Sequence, residues 1–139
     1  MRLTQRIALA LAALLSVSAC HSDTTPAATT PTPSRTTDTF TGTVAVGGAD
    51  SHSFTIATAG NVDVTLTAAT PPATVVMGIS IGTPGTDRCV AVAGGSTQTA
   101  AGSSVQLSGV ASPGTMCVDV HDAGGQSAPV TYTVTVTHP

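Results

Sequence analysis

The sequence predicts an all-β domain of about eight antiparallel strands, arranged as a sandwich or barrel. From Phe40 onward, runs rich in Val, Thr and Ile recur every ten to twelve residues or so, a spacing typical of such folds. Alternation of apolar and polar residues marks strands with one buried face. It is clearest near the end, where Val130, Tyr132, Val134 and Val136 interleave with Thr131, Thr133, Thr135 and Thr137. No stretch after residue 40 fits a helix of ordinary length.

Residues 1–19 carry the three parts of an export signal. Arg2 and Arg6 come first, an apolar run from Ile7 to Leu15 follows, and small residues precede the cut. The apolar run is shorter than the roughly 20 residues a membrane-spanning helix needs. Val17-Ser18-Ala19-Cys20 resembles the bacterial lipobox, in which an aliphatic residue and two small ones precede the cysteine that becomes the mature N-terminus. The resemblance implies cleavage before Cys20, a diacylglycerol on its sulfur and a fatty acid such as palmitate on its amine. Three acyl chains make a durable anchor, since stable attachment takes more than one chain. His21 stands where Asp would resemble an inner-membrane retention signal, so the expected address is the cell envelope, lipid-anchored in the outer membrane.

Residues 20–39 form the lipidated cysteine and a tether, HSDTTPAATTPTPSRTTDT after Cys20, with Pro26, Pro31 and Pro33 among many Thr. Lacking large apolar side chains, this stretch cannot build a core and is expected to be disordered. It leans towards polyproline II, with a reach of at most about 3.1 Å per residue, roughly 60 Å in all. A proline-recognising partner or O-glycosylation are other uses of such a segment, and a plain spacer is the reading we adopt.

Residues 40–139 then make one β domain, long enough for a single core. Phe54 and Ile56, then Val62, Val64 and Leu66, then Val75, Met77, Ile79 and Ile81, then Met116, Val118 and Val120 repeat the two-residue period and are expected to face that core. Turn signals separate them at Gly47-Gly48, Gly60-Asn61, Pro71-Pro72, Pro84-Gly85, Gly94-Gly95, Pro113-Gly114 and Gly124-Gly125. The segments Asp50-Ser-His-Ser-Phe54-Thr-Ile56 and Ala59-Gly60-Asn-Val62-Asp-Val64-Thr-Leu66 resemble the opening of the bacterial pre-peptidase C-terminal domain. Gly114-Thr-Met-Cys-Val-Asp-Val120 and Tyr132-Thr-Val-Thr-Val136 are similar to two later strands of that family. Met116 and Cys117 replace its aromatic pair, and no peptidase domain comes before the module. The resemblance implies a jelly-roll-like sandwich, an accessory to secreted enzymes, linked in some members to carbohydrate, protein or calcium binding. It carries no catalytic residue across.

Cys89 and Cys117 are an even pair in a chain bound for an oxidising compartment, so a disulfide is the leading expectation. If Val90 and Val92 face inward, as Met116 and Val118 do, both cysteines fall on the outer faces of their strands. The rival is a metal site in which Cys117, Asp119 and His121 share one strand face with Cys89 as a fourth ligand, and Met77 and Met116 as softer candidates. Asp119 and His121 are weak metal candidates, because neither C-x-x-C nor H-x-x-x-H spacing occurs. No cofactor is expected.

Composition excludes other classes. Past the leader, two Arg face seven Asp, a net charge of −5, and Lys and Glu are absent, so there is no basic patch for nucleic acid. The nucleophile elbow, phosphate-binding loops, dinucleotide fingerprint and H-E-x-x-H are missing. Acid–base work would fall on the Asp residues and on His52, His121 and His138. Asp50 reads as a turn residue, His121 as a solvated histidine, and Asp119 and Asp122 as solvated turn carboxylates. The expectation is a non-enzymatic envelope lipoprotein that binds a glycan or an envelope protein, with a periplasmic metal-binding protein using Cys89, Cys117, Asp119 and His121 as the alternative.

Overall fold

The computed structural model describes residues 34–139, so the expected signal peptide, Cys20 and most of the tether lie outside the described residues. Eight strands follow one another: β1 Thr36–Val44, β2 Ala49–Ile56, β3 Gly60–Thr70, β4 Val76–Pro84, β5 Cys89–Ala100, β6 Leu107–Ala111, β7 Gly114–Asp122 and β8 Val130–His138. They form two four-stranded antiparallel sheets, ordered β1-β8-β3-β6 and β2-β7-β4-β5. First pairs with last, second with seventh, third with sixth and fourth with fifth, which is the nested order of a jelly roll.

Alternation explains why these strands sandwich a core. Val130, Tyr132, Val134 and Val136 of β8 are buried, and Val62, Val64 and Leu66 of β3 lie beside them. From the other sheet come Phe54 and Ile56, Met77, Ile79 and Ile81, and Val118 and Val120. Met77 is fully buried and Met116 packs against the cluster, so both methionines serve the core. Burying each of these large side chains contributes roughly 1.5–3 kcal/mol. The other face of the first sheet is a threonine surface, with Thr37, Thr39, Thr41 and Thr43 of β1 directly opposite Thr137, Thr135, Thr133 and Thr131 of β8. Such facing pairs of β-branched residues stabilise a sheet modestly.

Two expectations are corrected here. The domain begins before Phe40: Thr36 already pairs with His138, so residues 36–39, read as tether, belong to β1. Arg35 fixes this start, donating to the carbonyls of Asn61 and Thr137 and pairing with Asp63 at 2.7 Å. Val90 and Val92 were expected inside and are exposed. Val92 lies in residues 92–95, which bulge out of the ladder opposite a register shift between Ser80 and Gly82, and Val90 pairs with Thr83 at the exposed end of β4. Where Gly82 would carry a Cβ sits the carbonyl of Val90, so β5 begins by folding over the outer face of its own sheet.

Candidate functional site

That fold-over covers a buried polar site. Cys117, Asp119 and His121 share the outer face of β7, as their spacing predicts, and the displaced start of β5 comes down on top of them. Cys89 thereby reaches Cys117 across β4 and forms the disulfide, with the two Cα atoms 5.8 Å apart. The Cys89 N–H donates to the Ser51 hydroxyl of β2 at 3.3 Å, so the hairpin tip touches the far edge strand.

Beneath this cover Asp119 is 1% exposed, not the solvated turn carboxylate expected from sequence. A buried carboxylate must have partners. Ser51 Oγ donates to Asp119 Oδ1 at 2.7 Å, His121 Nδ1 lies 2.9 Å from Oδ2, and the Arg88 guanidinium stands at 3.9 Å. A carboxylate only accepts, so the hydrogen sits on His121 Nδ1. The His121 ring lies where a side chain on Gly78 would be, which corrects its reading as a solvated histidine. Ser51, Asp119 and His121 thus occur together with the carboxylate in the middle. Nucleophile and base do not touch, whereas an activated serine needs its hydroxyl on the imidazole. Both cysteine sulfurs are consumed by the disulfide, and among the described residues no group of three or more His, Cys, Asp and Glu side chains is placed to hold a metal.

A second polar cluster closes one open side of the sandwich, between edge strands β1 and β2. Asp50, expected in a turn, is in β2 and accepts from the Tyr132 hydroxyl at 2.8 Å. The phenol has one hydrogen, so His52 Nε2, 2.7 Å away, donates to the same oxygen. Phe40 stacks on His52 with ring centroids 4.8 Å apart. Gly42 makes the arrangement possible, because a Cβ there would coincide with Asp50 Oδ2 and crowd Tyr132. Burial, and then the hydrogen bond to Asp50, hold the Tyr132 phenol far above its ordinary value of 10.0. His138, farther along the same seam, bonds Asp38 at 3.1 Å and packs on Phe54.

Asp122 caps the turn after β7. Its carboxylate accepts the N–H groups of Gly47, Gly124 and Gln126, and the Gly47 bond contributes most to holding it below the usual carboxylate value. Asp63 is held low in the same way by the Ser108 hydroxyl and by Arg35.

The opposite open side, between edge strands β5 and β6, is apolar. A cleft of about 180 Å³ opens there over Val62, Ile81, Leu107 and Met116, with Val92 and Val110 at its rim. Sequence reasoning missed it. The signals were Gly109, inward-facing in a short strand, and the Gly94-Gly95 pair, whose missing side chains leave room beside the core.

No family model matches the chain, and neither does any curated protein or solved structure.

Proposed function

We propose that this chain is a lipid-anchored protein of the bacterial cell envelope whose sandwich binds another envelope protein and performs no chemistry of its own. The observation that carries the reading is Val17-Ser18-Ala19-Cys20 with the Thr/Pro segment behind it, a lipidation signal followed by a spacer and one folded domain. The jelly-roll order fits the architecture that the resemblance to the pre-peptidase C-terminal domain implies.

Two features of the domain favour a binding role. Asp50, Asp119 and their histidines are turned on each other in closed hydrogen-bond series, an arrangement suited to holding strands together. Between the two ligand classes, the rings favour protein. Phe54 and Tyr132 are buried and Phe40 lies against His52, so sugar rings have little aromatic surface to stack on, while Val90, Val92 and Val110 are exposed.

The test is fractionation of cells expressing the full-length chain, followed by cross-linking in intact cells. The wild-type chain should sediment with membranes and resist salt washing, and Cys20→Ala should remain an unprocessed precursor. Specific adducts with an envelope protein should form. A wild-type chain found in the soluble fraction overturns the anchor, and specific capture by a glycan array with no protein adduct replaces the protein partner by a sugar.

A further inference from the structure

We propose that the end of the sandwich opposite the chain's entry is the surface that takes the envelope protein, through uncharged contacts; this rests on the binding role proposed above. Residue 34, where the described chain begins, tells the two ends apart. Thr36 opens β1 beside His138 at the close of β8, and Gly60 and Gly114 open β3 and β7 beside Ala111 and Ile56. The connections at this entry end are residues 57–59, 85–88 and 112–113. Those at the opposite end are residues 45–48, 71–75, 101–106 and 123–129.

Length and charge separate the two ends. Two to four residues join strands at the entry end and four to seven at the other, although two suffice to close a hairpin. Binding residues concentrate on loops that a rigid scaffold positions, and a sandwich gathers its loops at its two ends. Arg35, Asp87 and Arg88 stand at the entry end, whereas the four opposite connections contain no charged residue. Exposed valines occur at both ends, Val90, Val92 and Val110 near the entry and Val46, Val76 and Val105 in or beside the longer connections. The entry end is the one from which the chain leads back to Cys20, so the opposite end is the one left clear of the anchor.

The opposite end is also preorganised. Asp122 accepts the N–H groups of Gly47, Gly124 and Gln126 and donates its own N–H to the Gly48 carbonyl, so two of the connections hold each other. The Val75 N–H closes on the Pro72 carbonyl, and the Gln106 side chain bridges Leu66 and Ala100. Loops already ordered lose little freedom when a partner binds. Within residues 34–139 two Arg stand against six Asp, a net charge of −4, yet Asp122, which borders these loops, has both oxygens engaged. A partner seated there meets aliphatic side chains, hydroxyls and amides. Its matching surface is therefore uncharged, and its hold on the domain does not depend on salt.

The test places a photoreactive benzophenone amino acid in the full-length chain, one site per variant. Val46, Thr74 and Ser127 probe the opposite end, and Thr58 and Val110 probe the entry end; all five are exposed. Cells are irradiated, and adducts are identified by mass spectrometry. The first three probes should label one and the same envelope protein, and the other two should label it about tenfold less. The ends lie about 30 Å apart, the length of a nine-residue strand, and a standard interface covers only about a tenth of a small protein's surface. In membranes from the same cells the yield should not change between about 50 mM and 500 mM salt, where screening becomes short-ranged. Persistence of the Cys89–Cys117 bond on a non-reducing gel checks that each variant folds, and three probes keep the test decisive if one does not. Protein adducts confined to the Thr58 and Val110 probes, or a yield that salt abolishes, overturn this inference and leave the binding role standing. No protein adduct from any probe overturns both.

Discussion

Replacing both Cys89 and Cys117 by Ala removes the one covalent link that holds the folded-over start of β5 against β7. The bond joins residues 28 apart in sequence, so it closes a loop of 29 residues in the unfolded chain. In the chain-entropy model such a closure removes about 12 cal/mol/K from the unfolded state, or about 3.6 kcal/mol at 25 °C. A domain of this length gains roughly 0.22 kcal/mol/K of entropy at its melting point, so the double variant should melt about 16 °C lower. Far-UV circular dichroism during heating measures this, with the reduced parent protein as a second comparison. The loss should exceed simple loop opening, because the Cys89 N–H bond to Ser51 and the cover over Asp119 depend on the same tip. A fall of less than about 5 °C would refute the reasoning, showing that the tip is held down by its other contacts and that closure adds little.

Tyr132 is the chain's only tyrosine, so ultraviolet absorbance reports its ionisation directly. Its folded pKa is raised, so its contribution to stability is full below 10.0 and is lost as pH climbs towards the folded value; tyrosinate should appear only as the domain unfolds in strong alkali. An ordinary titration near pH 10 with the fold intact contradicts the buried series. Gly42→Ala places a methyl on Asp50 and Tyr132 and should cost about 1–3 kcal/mol, with Tyr132 becoming easier to ionise; an unchanged melt would mean that the seam yields freely. Gly109→Ala enters open space in a strand and should stabilise by about 0.4–1 kcal/mol, a melting rise of roughly 2–4 °C, and a lower melting point would show the cleft to be tighter than the geometry indicates.

Where residues alternate strictly, the fold is legible in the sequence. The β8 run, Phe54 and Ile56 of β2, Val62, Val64 and Leu66 of β3, Met77, Ile79 and Ile81 of β4, and Val118 and Val120 of β7 face the core as their period requires. Legibility fails where a strand owes its place to a partner. Thr36–Thr39 have no apolar signal and become strand because β8 extends far enough to pair with them and Asp38 meets His138. Val90 and Val92 have the right composition for the core and are exposed, because Val90 sits opposite Thr83 at the exposed end of β4 and Val92 lies in the bulge at residues 92–95, and composition does not encode a register shift. At the site, the shared face of Cys117, Asp119 and His121 follows from a period of two. Ser51 and Arg88, which complete the surroundings of Asp119, come from β2 and a hairpin tip, and only the sheet order brings them there. Asp50 and Tyr132 are 82 residues apart, and their bond belongs to no local pattern.

The central claim is that this sandwich is held at a membrane by lipid on Cys20. The decisive measurement is the intact mass, with N-terminal peptide mapping, of the full-length gene product recovered from bacterial membranes. The account predicts a chain beginning at Cys20, carrying the diacylglycerol on sulfur and a fatty acid on the amine, with the Cys89–Cys117 bond in place. A chain that retains residues 1–19, or one cut elsewhere with an unmodified N-terminus, would contradict it.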